Sequence, residues 1–145
     1  MTYYTANERE TEALGRRLAA SLPPGGVVIA LYGELGAGKT AFVRGLGQGL
    51  EVDGQVVSPT FTIVNELYGK RELFHFDMYR LGGADELFDI GWEDYLARGG
   101  VCAVEWSENV TEAMEGAVSV TIDVLGENTR RITISGGDFL ADLSL

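Results

Sequence analysis

The stretch Val27-Val28-Ile29-Ala30-Leu31-Tyr32-Gly33-Glu34-Leu35-Gly36-Ala37-Gly38-Lys39-Thr40 decides the fold of this 145-residue chain. Its first six residues are an unbroken apolar run, which reads as a strand covered on both faces, since a half-solvated strand would alternate. Gly33 to Thr40 then fits G-x-x-x-x-G-K-[ST] in full. Glycines let the backbone curl until successive N–H groups converge on phosphate oxygens, and the following helix adds its positive N-terminal end. Lys39 can set a point charge on the β- and γ-phosphates, and the Thr40 hydroxyl can ligate Mg²⁺. Lys39–Leu50 aligns Phe42, Leu46 and Leu50 on one side of a helix. A chance glycine turn has no reason to fall between a buried strand and a helix. The expectation is one α/β domain over 1–145, a three-layer P-loop NTPase fold with a mostly parallel sheet.

Working outward, Thr5–Leu22 spaces Leu14, Leu18 and Leu22 four apart, with Asn7 or Thr5 as N-cap and Glu10 or Glu8 three residues on. Pro23-Pro24-Gly25-Gly26 ends that helix. Val56–Tyr68 and Glu72–Tyr79 read as extended, Ala84–Leu96 as a helix anchored by Leu87, Phe88, Tyr95 and Leu96 and weakened at Gly91. Val101–Val104 is another buried-type strand. Ser119–Leu125 and Arg130–Ser135 alternate about Gly126-Glu127-Asn128-Thr129, a C-terminal β-hairpin. The 20 glycines are expected at element ends, where turns need them.

A phosphate loop needs a carboxylate for Mg²⁺ at the C-terminal end of a neighbouring strand, where ligands gather in open α/β sheets. Glu105, closing Val101–Val104, and Asp77, closing Leu73–Phe76, are the two candidates. In a chain this acidic, either would read as an ordinary strand-ending residue without the loop; the loop tips both toward a site role. Ser58-Pro59-Thr60-Phe61 restricts the backbone around Thr60, whose hydroxyl can face the γ-phosphate or Mg²⁺ as a sensor, or solvent on an edge strand. Arg130 and Arg131 open the last strand, and either can reach a nucleotide or simply end a solvated hairpin. His75 has no second histidine or nearby serine for a triad, but shares Asp77's strand face. Cys102 reads as a small buried hydrophobe, Trp92 and Trp106 as anchors.

Composition narrows the classes further. Twenty-two acidic against 11 basic residues give a net charge of −11, which argues against direct grip on a nucleic-acid backbone. One cysteine and one histidine exclude an intramolecular disulfide and a Cys- or His-rich metal site. With no apolar leader and no membrane-length run, the expectation is a cytoplasmic protein with no membrane partner.

Four blocks together, Leu35–Thr40, Ser58–Phe61, His75–Arg80 and Val104–Trp106, resemble the TsaE family along almost the whole chain. These are small ATPases of the bacterial machinery that makes N6-threonylcarbamoyladenosine at position 37 of ANN-decoding tRNAs. The resemblance implies binding to a TsaB–TsaD-type heterodimer, ATP hydrolysis that resets that complex, slow turnover alone, and contact with tRNA only through the complex. It implies that Gly33, Leu35, Gly36, Ala37, Gly38, Lys39 and Thr40 hold the phosphates of ATP, and that Thr40 and Glu105 hold Mg²⁺. By the same resemblance Asp77 serves hydrolysis, Thr60 a switch-like segment, Trp106 supports the site, and Arg130 offers a nucleotide contact, with Arg131 an equal candidate.

Two other classes fit the sequence less well. A stand-alone small-molecule P-loop kinase needs an Arg-bearing lid, and no arginine cluster follows Gly82–Leu96. A GTPase-like switch needs Asn-Lys-x-Asp, which the chain lacks.

Overall fold

In the computed structural model, which describes residues 1–56 and 63–137, β2 (Val27–Tyr32) lies at the centre of a seven-stranded sheet. Its neighbours are β5 (Val101–Glu105) and β6 (Val118–Val124), both parallel to it. Beyond β5 lie β4 (Leu73–Asp77), parallel, and β3 (Val64–Leu67), antiparallel. Beyond β6 lie β7 (Arg130–Ser135) and β1 (Thr2–Thr5), each antiparallel to its neighbour. Strands β1, β6, β2, β5 and β4 thus share one direction, and the hairpin expected at 119–135 is β6–β7.

The unbroken apolar run of β2 serves two cores. Ile29 and Leu31 pack with Leu14 and Leu18 of α1 (Glu8–Ser21) and with Phe42 and Leu46 of α2 (Lys39–Gly49). Ala30 points the other way, into a cluster of Phe74, Phe76, Leu87, Trp92 and Val104 beneath α3 (Ala84–Asp89) and α4 (Trp92–Ala97). Cys102 is buried there, and desolvation pushes its thiol up to about 12, as befits an inert small hydrophobe. No helix among the described residues is long and apolar enough to cross a membrane.

Local chemistry accounts for the element ends. Asn7 is the N-cap of α1: its Oδ1 accepts the Glu10 N–H at 2.9 Å, while Glu10 Oε1 accepts the Ala6 N–H at 2.9 Å. Thr5, the other capping candidate, is buried at the end of β1, its hydroxyl 2.9 Å from that of Thr11.

Four expectations need correction. The segment 84–96 forms two helices, because Gly91 takes φ 94°, a left-handed conformation that stops α3 and starts α4. Phe88 and Leu96 consequently lie on the surface, and Trp92 fills the core instead. Strand β1 was not expected: Thr-Tyr-Tyr-Thr shows no aliphatic alternation, and the edge of β7 is what holds it. Of the extended segment 56–68, the described part is regular only over Val64–Leu67.

The fourth correction concerns glycines. Gly15 lies mid-α1, Gly45 and Gly47 within α2, and the first two mark a close crossing of backbones. A Cβ on Gly45 would stand 2.0 Å from Glu12 O, and one on Gly15 2.3 Å from Phe42 O. Gly45→Ala gains roughly 1 kcal/mol of helix propensity, but the clash is with backbone and no rotamer relieves it. The expected net loss is about 2 kcal/mol or more, read as a lower midpoint in urea. An unchanged midpoint would mean that the helices separate freely.

Candidate functional site: a glycine loop facing two strand-end carboxylates

The site lies where β2, β4 and β5 end. Beyond Tyr32 the chain turns through Gly33 (φ 152°), Gly36 (φ 78°) and Gly38 (φ 107°) into α2. A Cβ on Gly33 would stand 2.7 Å from Ile122 O, so that turn requires glycine. Gly38 occupies the N-cap of α2 and supplies no side-chain acceptor, in contrast to Asn7 of α1. The positive end of α2 thus carries no side-chain cap and is able to attract an anion. Leu35, at the crest, is 80% exposed.

Lys39 folds back over the loop. Its Nζ donates to Gly33 O and sits 3.6 Å from the centre of the Trp106 ring. Burial lowers its pKa, while Glu108, Glu105 and Asp77 act in the opposite sense. Thr40 follows, and its Oγ1 donates to Glu105, 3.0 Å from Oε2 and 3.2 Å from Oε1. Glu105 is 3% exposed and is also met by Nε2 of the buried His75 at Oε2.

Strand register explains this meeting. Asp77 pairs with Glu105 and His75 with Ala103, so the three polar side chains share the sheet face that carries α2. Asp77 is half-buried, and its Oδ1 accepts the Tyr79 N–H at 3.0 Å. Burial raises its pKa; the Tyr79 N–H lowers it, Glu105 raises it further, and His75 and Lys39 oppose. A carboxyl whose folded pKa exceeds its unfolded value takes stability away as pH rises through that range. In metal-free buffer, Asp77→Asn is therefore expected to melt above the parent at neutral pH, the gap closing on acidification. A pH series of thermal melts checks this; a gap that does not close would remove ionisation as its cause.

Trp106 takes φ 58°, a left-handed conformation unusual for a bulky side chain. Ser107 Oγ, donating to Val104 O at 2.7 Å, and Asn109 Nδ2, donating to Met78 O at 2.9 Å, fix the turn that imposes it. Tyr79 packs beside the indole at 4.9 Å between ring centres.

The two C-terminal arginines part company. Arg130 reaches the loop, with Nε donating to Ala37 O at 2.8 Å and Nη2 to Gly36 O at 3.4 Å. Its Nη1 donates to Gly126 O and Thr129 O within the β6–β7 turn. Arg131 pairs instead with Asp123, its cross-strand neighbour on β6, at 3.3 Å. Of the residues singled out in the sequence, Gly33, Leu35–Thr40, Asp77, Glu105, Trp106 and Arg130 come together, whereas Thr60 lies outside the described residues. The sequence left the role of His75 open and missed Glu108, one acidic residue among many. For His75 the available signal was its shared strand face with Asp77.

The chain was compared with known proteins. A family model described as "Threonylcarbamoyl adenosine biosynthesis protein TsaE" matches residues 5–132. The tRNA threonylcarbamoyladenosine biosynthesis protein TsaE of Treponema pallidum is 38% identical over 136 residues, covering 93% of this chain and 100% of that protein. Its counterpart in Streptomyces coelicolor is 45% identical over 132 residues, covering 85% and 88%. The crystal structure of Bacillus subtilis YdiB superposes with a TM-score of 0.75 at 32% identity, covering 94% of this chain and 84% of that one. Motif, geometry and similarity over nearly the whole length agree: this chain belongs to the TsaE family.

Proposed function

We propose that this chain is an ATP-binding and ATP-hydrolysing accessory subunit in the formation of N6-threonylcarbamoyladenosine at position 37 of ANN-decoding tRNAs, and that it resets a TsaB–TsaD-type partner complex. The observation that carries the reading is the contact between Thr40 and Glu105 across the end of the sheet. It joins the hydroxyl of a phosphate-binding loop to a buried strand-end carboxylate. Both are hard oxygen donors, and one carboxylate plus one hydroxyl suits Mg²⁺, which otherwise keeps waters and nucleotide phosphates as ligands. The two apolar clusters on opposite faces of the sheet support the three-layer P-loop NTPase arrangement.

Each residue then has a task. The loop Gly33–Thr40 directs its N–H groups and the α2 terminus at the phosphates, and Lys39 swings from Gly33 O to the phosphate oxygens. Thr40 and Glu105 hold Mg²⁺, which neutralises developing charge when bound. Asp77, the more exposed carboxylate, orients the attacking water, and its raised pKa suits a proton acceptor. Thr60 belongs to the segment that senses the γ-phosphate. Arg130 directs Nε and both Nη atoms at carbonyls and holds the loop's shape for the nucleotide. With that arginine engaged, the chain alone is expected to hydrolyse ATP slowly and the partner complex to speed it.

The deciding experiment is nucleoside mass spectrometry of tRNA from cells depleted of this protein and rescued with the parent chain or Lys39→Ala. Threonylcarbamoyladenosine restored by the parent alone supports both the pathway and the need for the loop. Unchanged modification after depletion rejects the role. A rate of hydrolysis indifferent to the partner complex rejects the coupling.

A further inference from the structure

His75 occupies the middle of β4, fully buried, between Phe74 and Phe76, which face the opposite core. Its Nε2 meets Glu105 Oε2, while its Nδ1 is buried and has no hydrogen-bond partner among the described residues. A buried acceptor without a donor is a cost that leucine at the same place would avoid. Polarity at position 75 therefore brings one return, the bond at Nε2. An acceptor faces Nε2 and, among the described residues, none faces Nδ1, so the imidazole proton belongs on Nε2 and is donated to the carboxylate.

Glu105 carries three rotatable side-chain bonds and ends a strand, so its carboxylate needs partners to keep one orientation. Thr40 Oγ1 stands within 0.2 Å of equidistant from the two oxygens, at 3.0 and 3.2 Å, and distinguishes them poorly. His75 does distinguish them, because it meets Oε2 alone. We infer that His75 is a positioning residue: its Nε2–H immobilises Glu105 Oε2 and leaves Oε1 as the oxygen that Glu105 presents to the divalent cation. This rests on the assignment of Glu105 to that cation. Ligands are commonly oriented by such outer partners, whose loss costs about ten- to hundredfold in metal affinity or activity.

Two measurements on the full chain test it. Long-range ¹H–¹⁵N NMR of the ligand-free protein reads the tautomer directly, and a proton on Nδ1 rather than Nε2 would overturn the inference. Calorimetric affinity for ATP, with and without Mg²⁺, reads the consequence. His75→Leu is expected to bind ATP unchanged without Mg²⁺ and to lose about tenfold of the Mg²⁺ enhancement. His75→Gln, whose amide N–H falls near the place of Nε2, is expected to recover it, whereas His75→Asn, whose amide falls near Nδ1, is not. Thermal melts identify any variant that fails to fold, and the Gln–Asn contrast then stands alone. If Gln behaves like Leu, or Leu like the parent, the positioning role fails. If Glu105→Ala itself keeps the full Mg²⁺ enhancement, the metal assignment fails instead.

Discussion

Lys39→Ala is expected to leave a folded protein with ATP turnover reduced by about 10²–10³-fold, the scale of losing one preorganised charge at a reacting centre. Lys39 is 4% exposed, and a residue so enclosed would ordinarily belong to the core. Its Nζ contacts are local, however: one hydrogen bond to Gly33 O and the face of Trp106. Those two are worth about 1 kcal/mol and about 0.5–2 kcal/mol, against a typical domain stability of roughly 5–15 kcal/mol. The fold survives such a loss, while phosphates entering the loop meet no charge. Circular dichroism and a phosphate-release assay, run on the same preparation, check both halves. An unfolded variant would show that the ammonium supports the fold, and normal turnover would take Lys39 out of the chemistry.

Glu105→Ala should produce a loss of similar size by a different route. The parent carboxylate is the shared acceptor of Thr40 Oγ1 and His75 Nε2, so alanine strands both donors. The buried imidazole N–H alone costs about 1–3 kcal/mol when unpaired, so a lower melting temperature is expected alongside the functional defect. Turnover should fall by at least about a hundredfold and lose its dependence on Mg²⁺, because the strand-end ligand is gone. The loop is untouched, so ATP should still bind in the absence of Mg²⁺, which sets this variant apart from Lys39→Ala. Normal Mg²⁺-stimulated hydrolysis would remove Glu105 from the metal role.

The central part of this architecture was legible because each signal there was doubled. The apolar run of β2 announced a strand buried on both faces, and the glycines with Lys39 and Thr40 independently required a strand before them and a helix after. Glu105 and Asp77 were placed by the same logic, as acids ending apolar runs, and the parallel register sets them side by side. What stayed hidden depends on partners distant in sequence. Thr2–Thr5 is a strand only because the edge of β7 receives it. Glycines were expected at element ends, and only the approach of α1 to α2 shows why Gly15 and Gly45 stand inside helices, where a methyl group has no room. Choosing between Arg130 and Arg131 required the strand's facing, since adjacent residues point to opposite sides. For His75, the sequence supplied the face but not the neighbour.

The bond from Arg130 to Ala37 spans 93 residues, and β2 has no partner strand before β5. The glycine loop thus leaves the ribosome well before the hairpin that completes its hydrogen bonding. Contacts of such long sequence separation form late, because loop closure must precede them. A nascent chain ending before residue 130 is expected to carry the motif without binding ATP, which nucleotide affinity of stalled ribosome complexes would reveal. Completion of the loop's hydrogen bonding is thereby tied to formation of the β6–β7 hairpin.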